Sequence, residues 1–240
     1  MPSKRLSHKG FAPIGQVLAL VIAVASAGAC SPPLPLDSSV APGAEPSTSA
    51  VQRGPAVQAL STLAVKGRAP KTGYDRALFG QAWADVDHNG CDTRNDILRR
   101  DLTGLEPTSG TNRCRVLSGT LHDPYTGRVI AFVRGQNTSS QVQIDHVVAL
   151  SDAWQKGAQQ WSTPRRTAYA NDPLNLLAVD GPTNQQKSDG DAATWLPPNK
   201  AFRCPYAARQ VAVKAKYGLW VTSAERDALA RILASCPGQS

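Results

Sequence analysis

The chain has 240 residues, with 26 Lys and Arg against 18 Asp and Glu, a net charge of +8 and an isoelectric point near 9.5. That length excludes two full domains and suits one domain of roughly 150–180 residues with trailing segments, which buries about 70% of its unfolded surface and so needs neither metal nor disulfide merely to fold. The basic balance attracts nucleic acid, acidic polysaccharide or an anionic membrane surface, and decides nothing about fold.

Lys4, Arg5 and Lys9 form a positive head, and Ile14 to Ala29 is an uncharged run of apolar and small residues ending in Ala27-Gly28-Ala29. Residues 1–29 are therefore expected to be an export signal, too short and too rich in Ala and Gly to span a membrane lastingly. Cys30 follows directly; this fits a lipoprotein signal, with lipid on that Cys, and fits plain secretion equally. Either way the protein is expected outside the cell or on its surface, touching membrane only through lipid at Cys30. Residues 30–65 are Pro-, Ser- and Ala-rich, a composition that cannot offset the entropy of ordering and reads as a tether. The folded domain is expected over residues 66–240, starting between Leu63 and Thr72.

Within it, Tyr74, Leu78, Phe79 and Trp83 recur at helical spacing, and Thr93–Leu102 predicts a helix with Ile97, Leu98 and Leu102 on one face. Arg115–Leu121 and Arg128–Val133 flank Asp123-Pro124-Tyr125-Thr126-Gly127, two β-rich runs about a turn, hence a hairpin. A short strand at Val142–Asp145, a helix near Asp152–Gln160 and a strand at Asn175–Val179 follow. Next comes a short helix, Pro182–Ser188, with Pro near its first turn. Tyr206–Tyr217 and Ser223–Ala234 close the chain as two helices. The order is α+β, a small sheet with helices packed around it. Beyond Cys30, four cysteines remain, which in an exported chain read as two disulfides with three possible connectivities. The sequence-local pairing, Cys91–Cys114 and Cys204–Cys236, is the expected one; there is no CxxC, and the spacings argue against structural zinc. Trp154, Trp161 and Trp195 read as core or edge packing.

The chemically informative stretch opens with Ile144-Asp145-His146-Val147-Val148, continues through Asn171-Asp172-Pro173-Leu174-Asn175-Leu176-Leu177, and reaches Asn184-Gln185-Gln186-Lys187-Ser188-Asp189 and Trp195-Leu196-Pro197. A His near its ordinary pKa accepts a proton from water at neutral pH. A carboxylate and an amide oxygen are hard donors that suit Mg²⁺. Neighbouring residues of a strand point to opposite faces, so Asp145 and His146 serve one metal only where the strand bends.

These motifs resemble the HNH, or ββα-metal, nucleases, and are similar in particular to a secreted HNH family related to the C-terminal domain of GmrSD-type restriction enzymes. The Asp-His-Val-Val and Asn-x-x-Lys-Ser-Asp elements also resemble the HNH domain of CRISPR effector nucleases. The likeness to the secreted family spans about Gly73 to Cys236. It implies a small ββα-metal core carrying a β-hairpin and surrounding helices, in a metal-dependent endonuclease of low sequence specificity acting on DNA or RNA. His146 would be the general base, and Asp145 with Asn184 would hold Mg²⁺ or Mn²⁺. Asn175 would orient the following loop and the ring of His146, while Lys187, three residues beyond Asn184 on a helix, would share its face and meet a phosphate. A single chain is the expected working unit.

Asp85-Val86-Asp87-His88-Asn89-Gly90 also resembles the start of an EF-hand loop, with Asp85, Asp87 and Asn89 as Ca²⁺ ligands but Asp96 where a bidentate Glu is usual. A structural turn and a wall of the nuclease cleft, with Arg94 on a phosphate, are the other readings of this segment. Two competitors to a nuclease stand beside it: a non-catalytic basic lipoprotein binding DNA or anionic cell-wall polymer, and a Ca²⁺-stabilised wall-associated module.

Overall fold

The computed structural model describes residues 54–106, 114–236 and 238, so the expected export signal, Cys30 and most of the expected tether lie outside the described residues. In chain order these form α1 (Pro55–Thr62), α2 (Thr93–Asp101), β1 (Leu102–Thr103), β2 (Ser118–His122), β3 (Val129–Val133), β4 (Val142–His146), α3 (Leu150–Trp154), α4 (Thr163–Ala170), β5 (Leu176–Asp180), α5 (Gly181–Lys187), α6 (Arg203–Tyr217) and α7 (Ser223–Ala234), an α+β fold. Among the described residues no helix is long and apolar enough to cross a membrane.

Helix α1 corrects the expected tether boundary. Leu60 and Leu63 are buried with Val211, Leu229 and Leu233 of α6 and α7, and burying two leucines offsets roughly 3–6 kcal/mol of ordering cost. The Pro content that suggested a tether includes Pro55, which sits at the helix start, where its missing N–H costs nothing.

The apolar spacing from Tyr74 to Trp83 yields only a single 3-10 turn, Arg76–Phe79. Asp75 caps it by accepting from the Ala77 N–H at 2.8 Å, and Gly80 ends it at φ 82°. The side chain of Thr167 lies where a Gly80 Cβ would stand. The spacing nevertheless marks the buried face correctly, because Phe79 packs on Trp154 and Tyr169. The helix expected near Asp152–Gln160 is likewise divided, into α3 and a 3-10 turn Ala158–Gln160, at Gly157 with φ 129°.

Strands β1, β2 and β3 form an antiparallel sheet, and the predicted hairpin pairs Leu121 with Ile130 and Ser118 with Val133. Its turn is closed by Asp123, whose carboxylate accepts from the N–H groups of Tyr125 and Thr126. The same carboxylate accepts from the Asp180 N–H at 2.9 Å, tying the hairpin tip to the end of β5. The tip thus drives Tyr125 into the core.

A second, two-stranded antiparallel sheet pairs β4 with β5, from Val142↔Asp180 to His146↔Leu176. Alternation sends Ile144, Leu176 and Ala178 toward Ile97 and Leu98 of α2. It sends Leu177 and Val179 toward Tyr125 and Tyr206. Covered on both faces, β5 reads as an unbroken apolar run. Asp180 then caps α5 through the Thr183 N–H at 2.9 Å, completing a β–β–α unit.

Behind this unit lies a buried charge cluster. Lys156 meets Asp152 at 2.6 Å, Asp191 at 2.8 Å and Glu225 at 2.6 Å, and Lys214 meets Asp152 at 3.1 Å and Glu225 at 2.9 Å. Arg68 closes it on Asp152 and Asp191. Three cations balance three carboxylates, so α3, α6, α7 and the Asp191 loop are held in one arrangement without residual buried charge. Both expected disulfides form: Cys91–Cys114 and Cys204–Cys236, the latter stapling α6 to the end of α7.

Candidate active site

Asp145 and His146 are the last two residues of β4, and the ladder runs unbroken through both. The bend that a shared metal and water were expected to need does not occur. Their side chains leave on opposite faces, yet both border one cleft of about 440 Å³, because His146 ends the strand. Asn184 and Gln143 border it too.

On one face, the Asp145 carboxylate is held by two groups. Lys187 Nζ lies 2.9 Å from Oδ1, and the Tyr125 hydroxyl donates to Oδ2. Burial pushes this carboxyl above its ordinary range, with Lys187 and Tyr125 pulling against it. Burial and the neighbouring carboxylate also hold the Tyr125 hydroxyl well above its ordinary pKa, so it stays protonated and donates. Lys187 is buried, with its second bond going to the His146 carbonyl at 2.8 Å. It fastens the strand end from beneath rather than standing in the cleft.

On the other face, His146 Nε2 lies 2.8 Å from the Ala170 carbonyl at the end of α4. A carbonyl only accepts, so Nε2 carries the proton and Nδ1 is left as the basic nitrogen. Trp83 stacks on the ring at 6.1 Å with planes 17° apart. Trp83 adopts φ 58°, a left-handed backbone that a bulky residue takes only where its surroundings impose it. With 7% of its surface exposed, the imidazole is driven down to a pKa of about 3, mainly by burial and further by Arg76 and Lys187. It is neutral at pH 7.

Asn175 is fully buried and fixes the turn that follows β4. Its Oδ1 accepts from the Val148 N–H at 2.8 Å, its Nδ2 donates to the Val148 carbonyl at 3.2 Å, and its own carbonyl accepts from the Val147 N–H at 2.8 Å. It orients the loop, as its place in the motif implies, while the ring of His146 is oriented by Ala170. Asn184 donates from Nδ2 to Gln143 Oε1 at 2.9 Å, which leaves its Oδ1 without a hydrogen bond among the described residues.

Two expected participants stand elsewhere. Arg94 is half-buried beside Arg134 and directed at the Val142 carbonyl at 3.3 Å, away from the cleft lining. The Asp85–Gly90 segment closes on itself, since the Asp85 carboxylate accepts from the Asn89 and Gly90 N–H groups and Asp87 from Asn89. Among the described residues no three His, Cys, Asp or Glu side chains converge on one point. Among the side-chain oxygens that border the cleft are the Asp145 carboxylate and the free Asn184 amide oxygen, hard donors of the kind that suit a divalent ion completed by water and phosphate.

Sequence reasoning missed Tyr125, Ala170, Trp83 and Arg76. Tyr125 carried a signal, because a buried carboxylate needs neutralising partners and a Tyr sits at the tip of the predicted hairpin. The role of Ala170 rests on its backbone carbonyl and had none.

The β–β–α unit thus presents a backbone-pinned His beside a carboxylate at the rim of a cleft. The chain belongs to the family of the GmrSD restriction endonucleases, C-terminal domain, which matches residues 92–232. A relative described as an uncharacterized secreted protein of Arthroderma benhamiae (strain ATCC MYA-4681 / CBS 112371) is 38% identical over 179 residues, covering 74% of this chain and 82% of its own. No solved structure matches. The family carries a nuclease-like role and a nucleic-acid substrate.

Proposed function

We propose that the protein is an exported, metal-dependent endonuclease of HNH type that hydrolyses phosphodiester bonds of DNA with little sequence preference. The observation that carries this reading is the neutral His146, its Nε2 proton given to Ala170 and its Nδ1 basic, at the rim of the cleft that Asp145 also borders.

His146 Nδ1 takes one proton from the attacking water as the water oxygen bonds to phosphorus and the bond to the 3′ oxygen breaks. The Ala170 bond with the Trp83 stack keeps the ring from turning and leaves Nδ1 without a proton. Asp145 and Asn184 Oδ1 would hold Mg²⁺ or Mn²⁺. Such an ion, when bound, supplies Lewis-acid stabilisation of charge on the leaving oxygen, worth several kcal/mol. Lys187 and Tyr125 keep Asp145 oriented, and Asn175 keeps the Val147–Val148 turn in register with His146. Export is supported by the signal-like residues 1–29, by two disulfides and by a relative described as secreted. The +8 charge favours an anionic polymer as substrate.

The test is incubation of the purified protein with supercoiled plasmid. Nicking is expected with Mg²⁺ or Mn²⁺, abolition by EDTA, and a loss of roughly 10²–10⁴-fold in His146→Ala. Cleavage that survives His146→Ala refutes the assignment of the base; salt-sensitive binding with no cleavage at all favours a non-catalytic DNA-binding protein instead.

A further inference from the structure

The cleft holds one uncompensated charge. Of its carboxylates, Asp145 is neutralised from beneath by Lys187, and Asp189 is met by Lys71 Nζ at 3.0 Å and by the Ser151 hydroxyl at 2.9 Å. That leaves Arg76, which is exposed and forms no hydrogen bond or ion pair among the described residues. It borders both the large cleft and a small cavity of about 30 Å³ walled by Phe79, Trp83, His146 and Ala170. It therefore stands where the two faces of the site meet, near enough to act electrostatically on both Asp145 and His146.

Its backbone, in contrast to its side chain, is fixed. Asp75 caps the turn, Phe79 anchors it in the core, Gly80 fits against Thr167, and the Leu78 carbonyl accepts from Arg166 Nε at 2.9 Å. A guanidinium carried on a fixed backbone offers a planar fork of N–H donors that matches two oxygens of one phosphate. Lys187 and Arg94, the residues whose sequence positions suggested that task, are both spent on internal partners.

We infer that Arg76 is the phosphate-gripping residue of this site, its guanidinium donating to the non-bridging oxygens of the phosphodiester beside His146. The inference rests on the nuclease reading for its substrate, and it places a substrate-binding group on a segment that precedes the family match at residue 92.

Two measurements separate this inference from the reading beneath it. The first is plasmid cleavage by wild type, Arg76→Ala and Arg76→Lys. Removing a donor aimed at transition-state charge costs roughly 10²–10³-fold, so Arg76→Ala is expected to lose that much in kcat/KM with an unchanged melting temperature, and Arg76→Lys to recover only part. The second is binding of a fluorescein-labelled DNA duplex in the His146→Ala background at several salt concentrations. Loss of one phosphate contact lowers the slope of log K on log salt by about 0.9. If wild type cuts while Arg76→Ala cuts equally well and keeps the full slope, the inference falls and the nuclease reading stands. If wild type binds without cutting and Arg76→Ala still lowers the slope, the nuclease reading falls and the phosphate contact survives. Absence of both cleavage and salt-dependent binding overturns both.

Discussion

Lys187 offers a direct test of how the site is held. A cleft lysine that meets substrate phosphate is replaced with little cost in stability and a large cost in binding; a buried counter-ion behaves in the opposite way. The Lys187 side chain is 0% exposed, with Nζ 2.9 Å from Asp145 Oδ1 and 2.8 Å from the His146 carbonyl. Lys187→Ala leaves a buried carboxylate facing only a Tyr hydroxyl, and breaking such a pair costs about 3–5 kcal/mol. For a domain of this size each kcal/mol moves the melting temperature by about 2–4 °C, so a fall of roughly 6–20 °C is expected. Removing both charges together, in Asp145→Asn/Lys187→Met, leaves no unpaired ion, and the double variant is expected to regain most of that loss. Urea and thermal unfolding followed by circular dichroism measure both. A Lys187→Ala protein within about 0.5 kcal/mol of wild type, but impaired in DNA binding, refutes the argument and returns Lys187 to the cleft.

Asn175→Ala is expected to cost about 1–3 kcal/mol, since it leaves the N–H of Val148 unpaired in the interior while the Val148 carbonyl keeps the Tyr169 hydroxyl, and to depress cleavage through the loosened turn; denaturant unfolding beside plasmid assays reads both effects. Stability is expected to fall as pH drops from about 4 toward 2, because the Asp191 carboxyl, desolvated but held by Lys156 and Arg68, titrates near 2 in the folded chain. A folded pKa below the unfolded one contributes stability above pH 4 that disappears as the proton is taken up. Asp191→Asn should flatten the pH dependence of unfolding in that window without abolishing it, since Asp152 and Asp172 are also lowered; an unchanged slope refutes the assignment.

What the sequence disclosed tracks how local each signal is. The β2–β3 hairpin was legible because a Pro-Tyr-Thr-Gly turn separates two β-rich runs, and α5 because Pro182 opens it. Helix α4 was not legible: Thr163-Pro164-Arg165-Arg166-Thr167 has no apolar stripe, and only Tyr169 and Ala170 are buried. Yet α4 ends on the carbonyl that selects the His146 tautomer. Lys187 was misplaced for a related reason. Spacing of three residues puts it on the Asn184 face of an ideal helix, but α5 is seven residues long, ends at Ser188 with φ 51°, and delivers the lysine beneath β4. The resemblance singled out Asp145, His146, Asn175 and Asn184 as candidates; the partners that hold them come from tertiary contacts that spacing does not encode.

The segment ahead of the family match is therefore part of the site rather than an appendage to it. Residues 92–232 supply Asp145, His146, Asn175 and Asn184, but the imidazole they present is stacked on by Trp83 and shares a small cavity with Arg76 and Phe79, all from the preceding segment. That flank is tied down at several points: Phe79 in the core, Cys91 to Cys114, Arg68 to Asp152 and Asp191, and the Lys66 N–H to the Val221 carbonyl. Burial is the largest influence on the His146 pKa, and the Trp83 indole contributes to that burial while Arg76 adds a like charge in the same direction. A fold that kept the motif and lost this strap would keep the donor atoms and lose the packing that buries and orients the imidazole of His146.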